Sequence, residues 1–159
     1  MLEFVLGALL GVQSVPASLP ASDAATIREG MWVLNTDRSK VEDGKRQIMW
    51  IVRSNQDDFV LVIAEASDGA PLRLLTWNGR YDGVKRPVLG APMEVGVRRN
   101  GETINIFGSA GAVTFSEHCR QNAERTQLRC EGVRQGVEGP GGTYAEDYDW
   151  ERPNPDVLE

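Results

Sequence analysis

The sequence of 159 residues predicts an all-β protein, built as an antiparallel up-and-down barrel or a curved meander of about eight to ten strands. Short runs of strand-forming residues recur at a spacing of roughly 8–12 residues, which is typical of such folds. Turn pairs that tolerate the positive φ angles of tight hairpins separate many of these runs. These pairs are Asp43-Gly44, Asp68-Gly69, Asn78-Gly79, Asp82-Gly83 and Asn100-Gly101. Because the loops are short, pairing of successive strands is the simplest topology.

The chain begins with an apolar run, Phe4 to Leu10, followed by small residues and prolines. The run is too short to cross a bilayer, which takes about 20 apolar residues. Its pattern is typical of a secretory signal, which predicts a signal segment over 1–21 and a single β-domain over 22–159. No Lys or Arg precedes the run and Glu3 has the opposite charge, so a helix or strand packed on the domain is the alternative.

A short helix is predicted next, over residues 23–29, because Ser22 or Asp23 can cap its start and Gly30 can end it. Nine strands are predicted to follow. Their ranges are 31–35, 46–54, 58–66, 71–78, 93–99, 102–108, 111–119, 126–135 and 143–151.

Two of the predicted strands contain runs, 48–52 and 59–64, that are apolar on both faces. Strands of this kind are usually covered on both sides. We therefore expect the N-terminal segment or a partner subunit to cover their outer face.

The composition limits the function classes. A net charge of −6 and a pI near 4.9 disfavour non-specific binding to nucleic acid or to anionic membranes. Gly136 to Gly142 is rich in glycine, but a strand-like sequence rather than a helix follows it, so it is a poor phosphate loop. No residue spacing matches a zinc or calcium site, so neither a metal nor another cofactor is predicted.

The two cysteines, Cys119 and Cys130, are predicted to form a disulfide between neighbouring strands, as in exported proteins. Two buried free thiols are the alternative. His118 is the only histidine and precedes Cys119, but neighbours on a strand point to opposite faces. We therefore expect His118 to be solvated on the outer face and not to activate a cysteine nucleophile.

Carboxylates are plentiful, and a pair of them could in principle serve a hydrolase. Nothing in the sequence fixes such a pair, so a solvated position at the surface is the prediction for all of them. These residues are Asp57, Asp58, Glu146, Asp147, Asp149 and Glu151. No enzyme activity is predicted.

The four tryptophans, Trp32, Trp50, Trp77 and Trp150, can either fill a core or line a cavity. Trp50 is in phase with Ile48 and Val52 on its predicted strand, which points its ring inward. The candidate residues for a ligand site are Trp32, Trp50, Trp77 and Tyr81.

Two motifs resemble those of a group of small exported bacterial β-proteins that are similar in outline to lipocalins. The first has the form W-x-L-N-x-x-x-S-K and is carried by Trp32, Leu34, Asn35, Ser39 and Lys40. The second has the form Y-D-G-x-x-x-P-V-x-G-x-P and is carried by Tyr81, Asp82, Gly83, Pro87, Val88, Gly90 and Pro92. The resemblance covers roughly residues 30–152 and implies a lipocalin-like barrel, but it assigns no activity and no ligand residue. The cysteine pair departs from the group.

The glycine- and proline-rich stretch 77–92 is predicted to be a structural loop rather than one that cradles a ligand. Asp82-Gly83 is expected to form a turn, and Pro87 to lie on an edge strand or at a bulge, because proline cannot donate to a sheet.

Together these observations predict a non-enzymatic, periplasmic or secreted binding protein that holds a small apolar ligand inside the barrel. The alternative is an inhibitor or accessory protein that acts on another exported protein through its surface or loops. A ligand carrier requires an internal cavity, whereas an inhibitor requires a filled core and an ordered, protruding loop.

Overall fold

The computed structural model describes residues 26–40, 47–136 and 142–152. These residues form ten β-strands and no helix. In chain order the strands are β1 (Gly30–Leu34), β2 (Gln47–Ser54), β3 (Asp58–Ala66), β4 (Arg73–Arg80), β5 (Arg86–Pro87), β6 (Glu94–Asn100), β7 (Thr103–Ala110), β8 (Val113–Gln121), β9 (Gln127–Gln135) and β10 (Thr143–Glu151).

All ten strands belong to one antiparallel sheet with the spatial order β4-β3-β2-β1-β10-β9-β8-β7-β6-β5. Strands β1 to β4 pair in sequence order, and so do strands β5 to β10. Strand β1 also pairs with β10, which joins the two groups. The sheet curls until β4 approaches β5, so the molecule is a nearly closed up-and-down barrel. The predicted fold class is confirmed.

The two ends of the sheet meet at a seam between β4 and Leu89, which lies shortly after β5. Thr76 and Leu89 exchange two backbone hydrogen bonds there, of 3.0 and 2.8 Å. The indole of Trp77 crosses the same seam and donates from Nε1 to the carbonyl of Val95 on β6 (3.0 Å). Main-chain and side-chain bonds together therefore hold the barrel closed.

Alternation along the strands sorts the side chains between the interior and the surface. On β9, for example, Leu128 and Cys130 are buried while Gln127, Arg129 and Glu131 are exposed. On the outer side of β2, Ile51 is 44% exposed within the described part of the chain, and cover of this face by the N-terminal segment or a partner subunit stays a prediction.

Residues 26–29 close one end of the barrel. Ile27 is 1% exposed within the hydrophobic core, and Trp32 donates from Nε1 to the carbonyl of Arg28 (2.9 Å). Gln121, at the end of β8, accepts from the Arg28 amide (2.8 Å) and donates to the Thr26 carbonyl (2.7 Å). This segment bonds to side chains of several strands, and its described residues do not form the predicted helix; residues 23–25 lie outside the described residues.

The strand predictions are accurate to within about two residues, with two differences. Arg86–Pro87 forms a short edge strand that the periodicity did not indicate, although the edge position of Pro87 was predicted. Asn78-Gly79 was predicted to be a turn but lies within β4. Gly79 is needed there because a Cβ atom would overlap the ring of Trp77. Asp43-Gly44 lies outside the described residues, as does the predicted signal segment.

Among the described residues there is no helix long and apolar enough to cross a membrane.

Candidate functional site

The interior of the barrel contains a cavity of about 380 Å³. It lies towards the end opposite residues 26–29, since Ala110 and Val113, which flank the β7–β8 turn, line it. Most of the wall is apolar and comes from strands all around the barrel. Its apolar and aromatic residues include Ile48, Trp50, Leu61, Ile63, Leu75, Trp77, Val95, Val97, Ile106 and Phe115. The volume falls in the range of small-molecule sites, roughly 300–1,000 Å³.

Two buried glutamates interrupt this apolar wall. Glu117 on β8 and Glu146 on β10 line the cavity, and they are only 7% and 5% exposed. Each accepts a hydrogen bond from a tyrosine: Tyr144 Oη donates to Glu117 Oε2 (2.9 Å), and Tyr148 Oη donates to Glu146 Oε2 (2.6 Å). We call these four residues the carboxylate cluster.

The sheet register brings the carboxylate cluster together. Strand β9 lies between β8 and β10, and its Gly132 is directly opposite both Glu117 and Tyr144. A Cβ atom on Gly132 would overlap the phenol ring of Tyr144. Glycine at this position therefore lets the ring lie across β9 and reach the carboxylate two strands away.

The next row of the sheet contains the disulfide. Glu146, Cys130 and Cys119 are opposite one another on β10, β9 and β8. Cys119 and Cys130 are bonded, with their Cα atoms 4.0 Å apart, and both are buried. The predicted disulfide is confirmed, and the alternative of two free thiols is wrong. A Glu117 oxygen lies within 4.8 Å of both sulfur atoms, but a disulfide offers no thiolate to a metal.

Burial has a large effect on the ionisation of the carboxylate cluster. It raises the pKa of Glu117 to about 7, and the nearby charge of Glu146 adds to the increase. The Tyr144 hydroxyl and the charge of Arg134 partly oppose it. The pKa of Tyr144 is also raised, first by burial and then by the charge of Glu117.

Arg134 on β9 is the basic group at the cavity wall. Its guanidinium carbon lies 4.5 Å from the centre of the Tyr144 ring. Glu65 on β3 also lines the cavity and is paired with Arg73, at 3.5 Å between Oε2 and Nη1. The described wall therefore carries three carboxyl side chains and one guanidinium.

The predicted ligand residues separate into two pairs. Trp50 and Trp77 line the cavity, whereas Trp32 and Tyr81 do not. Trp32 is fully buried beside the closed end. Tyr81 packs against Phe59, with 5.5 Å between ring centres, and shares a hydrogen bond of 2.6 Å with Ser54. A binding role for all four residues remains a prediction.

His118 lies on the outer face of β8, as predicted, and its Nδ1 is 2.7 Å from Asn105 Oδ1. The stretch 77–92 is also mainly structural. Gly83 has a φ of 74° at the predicted turn, and Asp82 forms an ion pair of 2.7 Å with Arg86. This stretch nevertheless contributes Trp77 and Val88 to the cavity wall.

The prediction that Glu146 is solvated at the surface is wrong, because its side chain is buried. The signal was present: Glu146 is in phase with Tyr144 and Tyr148 on one face of its strand. Glu117 likewise shares the inward face of β8 with Phe115 and Cys119, although no role was predicted for it. An acidic residue within an apolar alternation is the feature that identifies both glutamates.

No family model and no curated protein sequence matches this chain. Among solved structures, it is similar to a point mutant of the fluorescent protein UnaG, with a TM-score of 0.54 and 8% identity over 78% of this chain and 96% of that one. A second structure, EF1p2_mFAP2b bound to DFHBI, has a TM-score of 0.48 and 11% identity over 82% of this chain and 97% of that one. The first likeness supports the barrel fold, and at this identity it supports the fold alone.

Proposed function

We propose that this chain is a non-enzymatic binding protein that holds a small apolar ligand inside its barrel. The observation that carries the proposal is the cavity of about 380 Å³. Apolar walls with a few convergent polar groups are typical of ligand sites. A filled core, which the inhibitor alternative requires, would leave no void larger than a water molecule.

The experiment is a titration of the full chain with Nile red, a neutral apolar dye. We expect saturable binding with one dye per chain, because a cavity of about 380 Å³ accommodates one dye molecule. Ala110→Trp places a large ring at the cavity wall and should abolish binding. Ala123→Trp is the matched control, since Ala123 is exposed in the β8–β9 turn at the opposite end of the barrel. Absence of saturable binding, or an equal loss in both variants, would contradict the proposal.

We also propose that the protein is exported to the periplasm or beyond, with residues 1–21 removed, and that it belongs with the small exported bacterial β-proteins that its motifs resemble. The apolar run from Phe4 to Leu10 and the buried disulfide support export. N-terminal sequencing of the protein from its native host tests this. A mature chain that keeps Met1 would contradict it.

A second candidate function, action on another exported protein, is favoured by one observation. The outer face of the sheet carries exposed apolar side chains, with Leu74 59% and Leu89 67% exposed. A photo-crosslinker at Ile51 should then form a specific adduct in the native host, and Leu74→Lys should abolish it. Cavity binding of Nile red should be unchanged in Leu74→Lys, which separates the two functions.

A further inference from the structure

The carboxylate cluster needs an explanation that the fold does not supply. A barrel interior is stabilised by apolar side chains, and burying a carboxylate costs free energy unless it is paired. Glu117 and Glu146 could each be replaced by an apolar residue without losing a backbone bond, because both lie within regular strands. Their position on the wall of the cavity indicates that they face a ligand.

The carboxylate cluster retains capacity to accept hydrogen bonds. Glu117 and Glu146 each accept from one tyrosine hydroxyl through Oε2. A carboxylate has about four acceptor sites on its two oxygens. A ligand that donates hydrogen bonds can therefore be bound without displacing either tyrosine.

The charge of the cavity wall indicates the sign of the ligand. Glu65 is paired with Arg73, so Arg134, whose charge acts on Glu117, is the basic group that remains on the described cavity wall. Two glutamates opposite one arginine leave an excess of negative charge when both are ionised. A cation would balance this charge, whereas an anion would add to it.

We infer that the cavity takes an apolar amine, with its ammonium group between Glu117 and Glu146 and its hydrocarbon part against Trp50, Trp77 and Phe115. This inference rests on the proposed function and specifies the chemical class of the ligand. Hydrogen bonds between an ammonium and a carboxylate are shorter and stronger than neutral ones, and more so away from water. An ammonium group that lacked these carboxylate partners would bind unfavourably against the apolar wall.

Binding of the amine is coupled to the release of a proton. Burial, and then the charge of Glu146, raise the pKa of Glu117 to about 7, so this group is often protonated at neutral pH before an amine binds. An ammonium beside both carboxyls favours their ionised forms. Binding of an amine near neutral pH therefore releases a proton from the cluster.

The test compares octylamine, octanol and octanoate as competitors of Nile red on the full chain. The three share one apolar chain and differ in the charge of the head group. We expect octylamine to bind at least about tenfold more tightly than octanol, which corresponds to one strong charged contact, and octanoate to bind most weakly. Calorimetry of octylamine binding in two buffers of different ionisation enthalpy should show proton release at pH 7 and none at pH 9.

The variants separate the head group from the apolar chain. The double variant Glu117→Gln with Glu146→Gln should reduce octylamine to the affinity of octanol while leaving octanol unchanged. Glu124→Gln, at an exposed turn residue, should leave the order of the three ligands unaltered. The ligand order and the proton release in the unaltered chain test the inference even if the double variant fails to fold.

The outcomes distinguish the inference from the function on which it rests. Equal affinity for the three ligands, or a preference for octanoate, overturns the inference and leaves an apolar binding protein. Failure of Nile red to bind at all overturns the proposed function itself.

Discussion

The side chain of Glu117 makes the free energy of unfolding depend on pH. It is buried in the cavity wall beside a second carboxyl, and its pKa is raised from 4.5 to about 7. Between these two pH values the folded chain binds a proton at this site that the unfolded chain has released.

We therefore expect Glu117 to make the free energy of unfolding decrease as the pH rises from about 4.5 to about 7. The loss should approach roughly 3 kcal/mol across that window, from about 1.4 kcal/mol per pKa unit. Urea unfolding at several pH values measures it. Glu117→Gln cannot ionise and should flatten this part of the profile, whereas Glu124→Gln should not. An identical slope in the Glu117→Gln variant would contradict the prediction.

Gly132 is the second residue with a specific role, since it leaves the space that the Tyr144 ring occupies. Gly132→Ala should force the ring to move and weaken its bond to Glu117, at a cost of about 1–3 kcal/mol, as for other overpacked sites. Denaturant unfolding measures the change. In a Tyr144→Ala background the same substitution should cost much less, and an equal cost in both backgrounds would show that the ring is not the obstacle.

At the scale of the elements, the β8–β9 hairpin is joined by the disulfide as well as by its ladder of backbone bonds. Cys119 and Cys130 are 11 residues apart in sequence. Replacing both with alanine should lower the free energy of unfolding by about 3 kcal/mol according to the loop-entropy relation. Intact mass before and after reduction should differ by two hydrogens, and two alkylatable thiols in the unreduced protein would contradict the bond.

Strand periodicity explains why most elements could be predicted. The alternation on β8 and β9 placed both cysteines on the inner face, and the same rule correctly placed His118 outside. The carboxylate cluster could not be predicted in this way. Glu117 and Glu146 are 29 positions apart, and their proximity depends on β9 lying between β8 and β10 with Gly132 at the crossing point. Periodicity assigns a face to a residue but does not identify its neighbours.

Closure of one end of the barrel is also a property that the sequence does not indicate. The sequence pattern of residues 23–29 predicted a helix, whereas the contacts of residues 26–29 come from distant positions, such as Gln121 and Trp150. Arg28 stacks on the Trp150 ring at 3.4 Å, which adds a cation–π contact.

At the scale of the whole molecule, this closure predicts how far the N-terminus can be shortened. A chain of residues 22–159 should unfold at the same denaturant concentration as the full chain, because it keeps Ile27 and the bonds of residues 26–29. A chain of residues 30–159 should lose at least about 3 kcal/mol, since it loses a buried isoleucine and several hydrogen bonds. Equal stability of the two shortened chains would show that residues 26–29 contribute little.

The seam between β4 and Leu89 affects how readily the protein aggregates. A strand edge with unpaired backbone groups is a template for association with other chains, and closing a barrel hides such edges. Here one reciprocal pair of backbone bonds, between Thr76 and Leu89, protects both ends of a ten-stranded sheet. Leu89→Pro removes the amide that donates to Thr76, so it should expose the edges and cause aggregation that grows with protein concentration in light scattering. Leu89→Ala keeps the amide and loses an exposed apolar side chain, so its solutions should stay as clear as those of the unaltered protein, or become clearer.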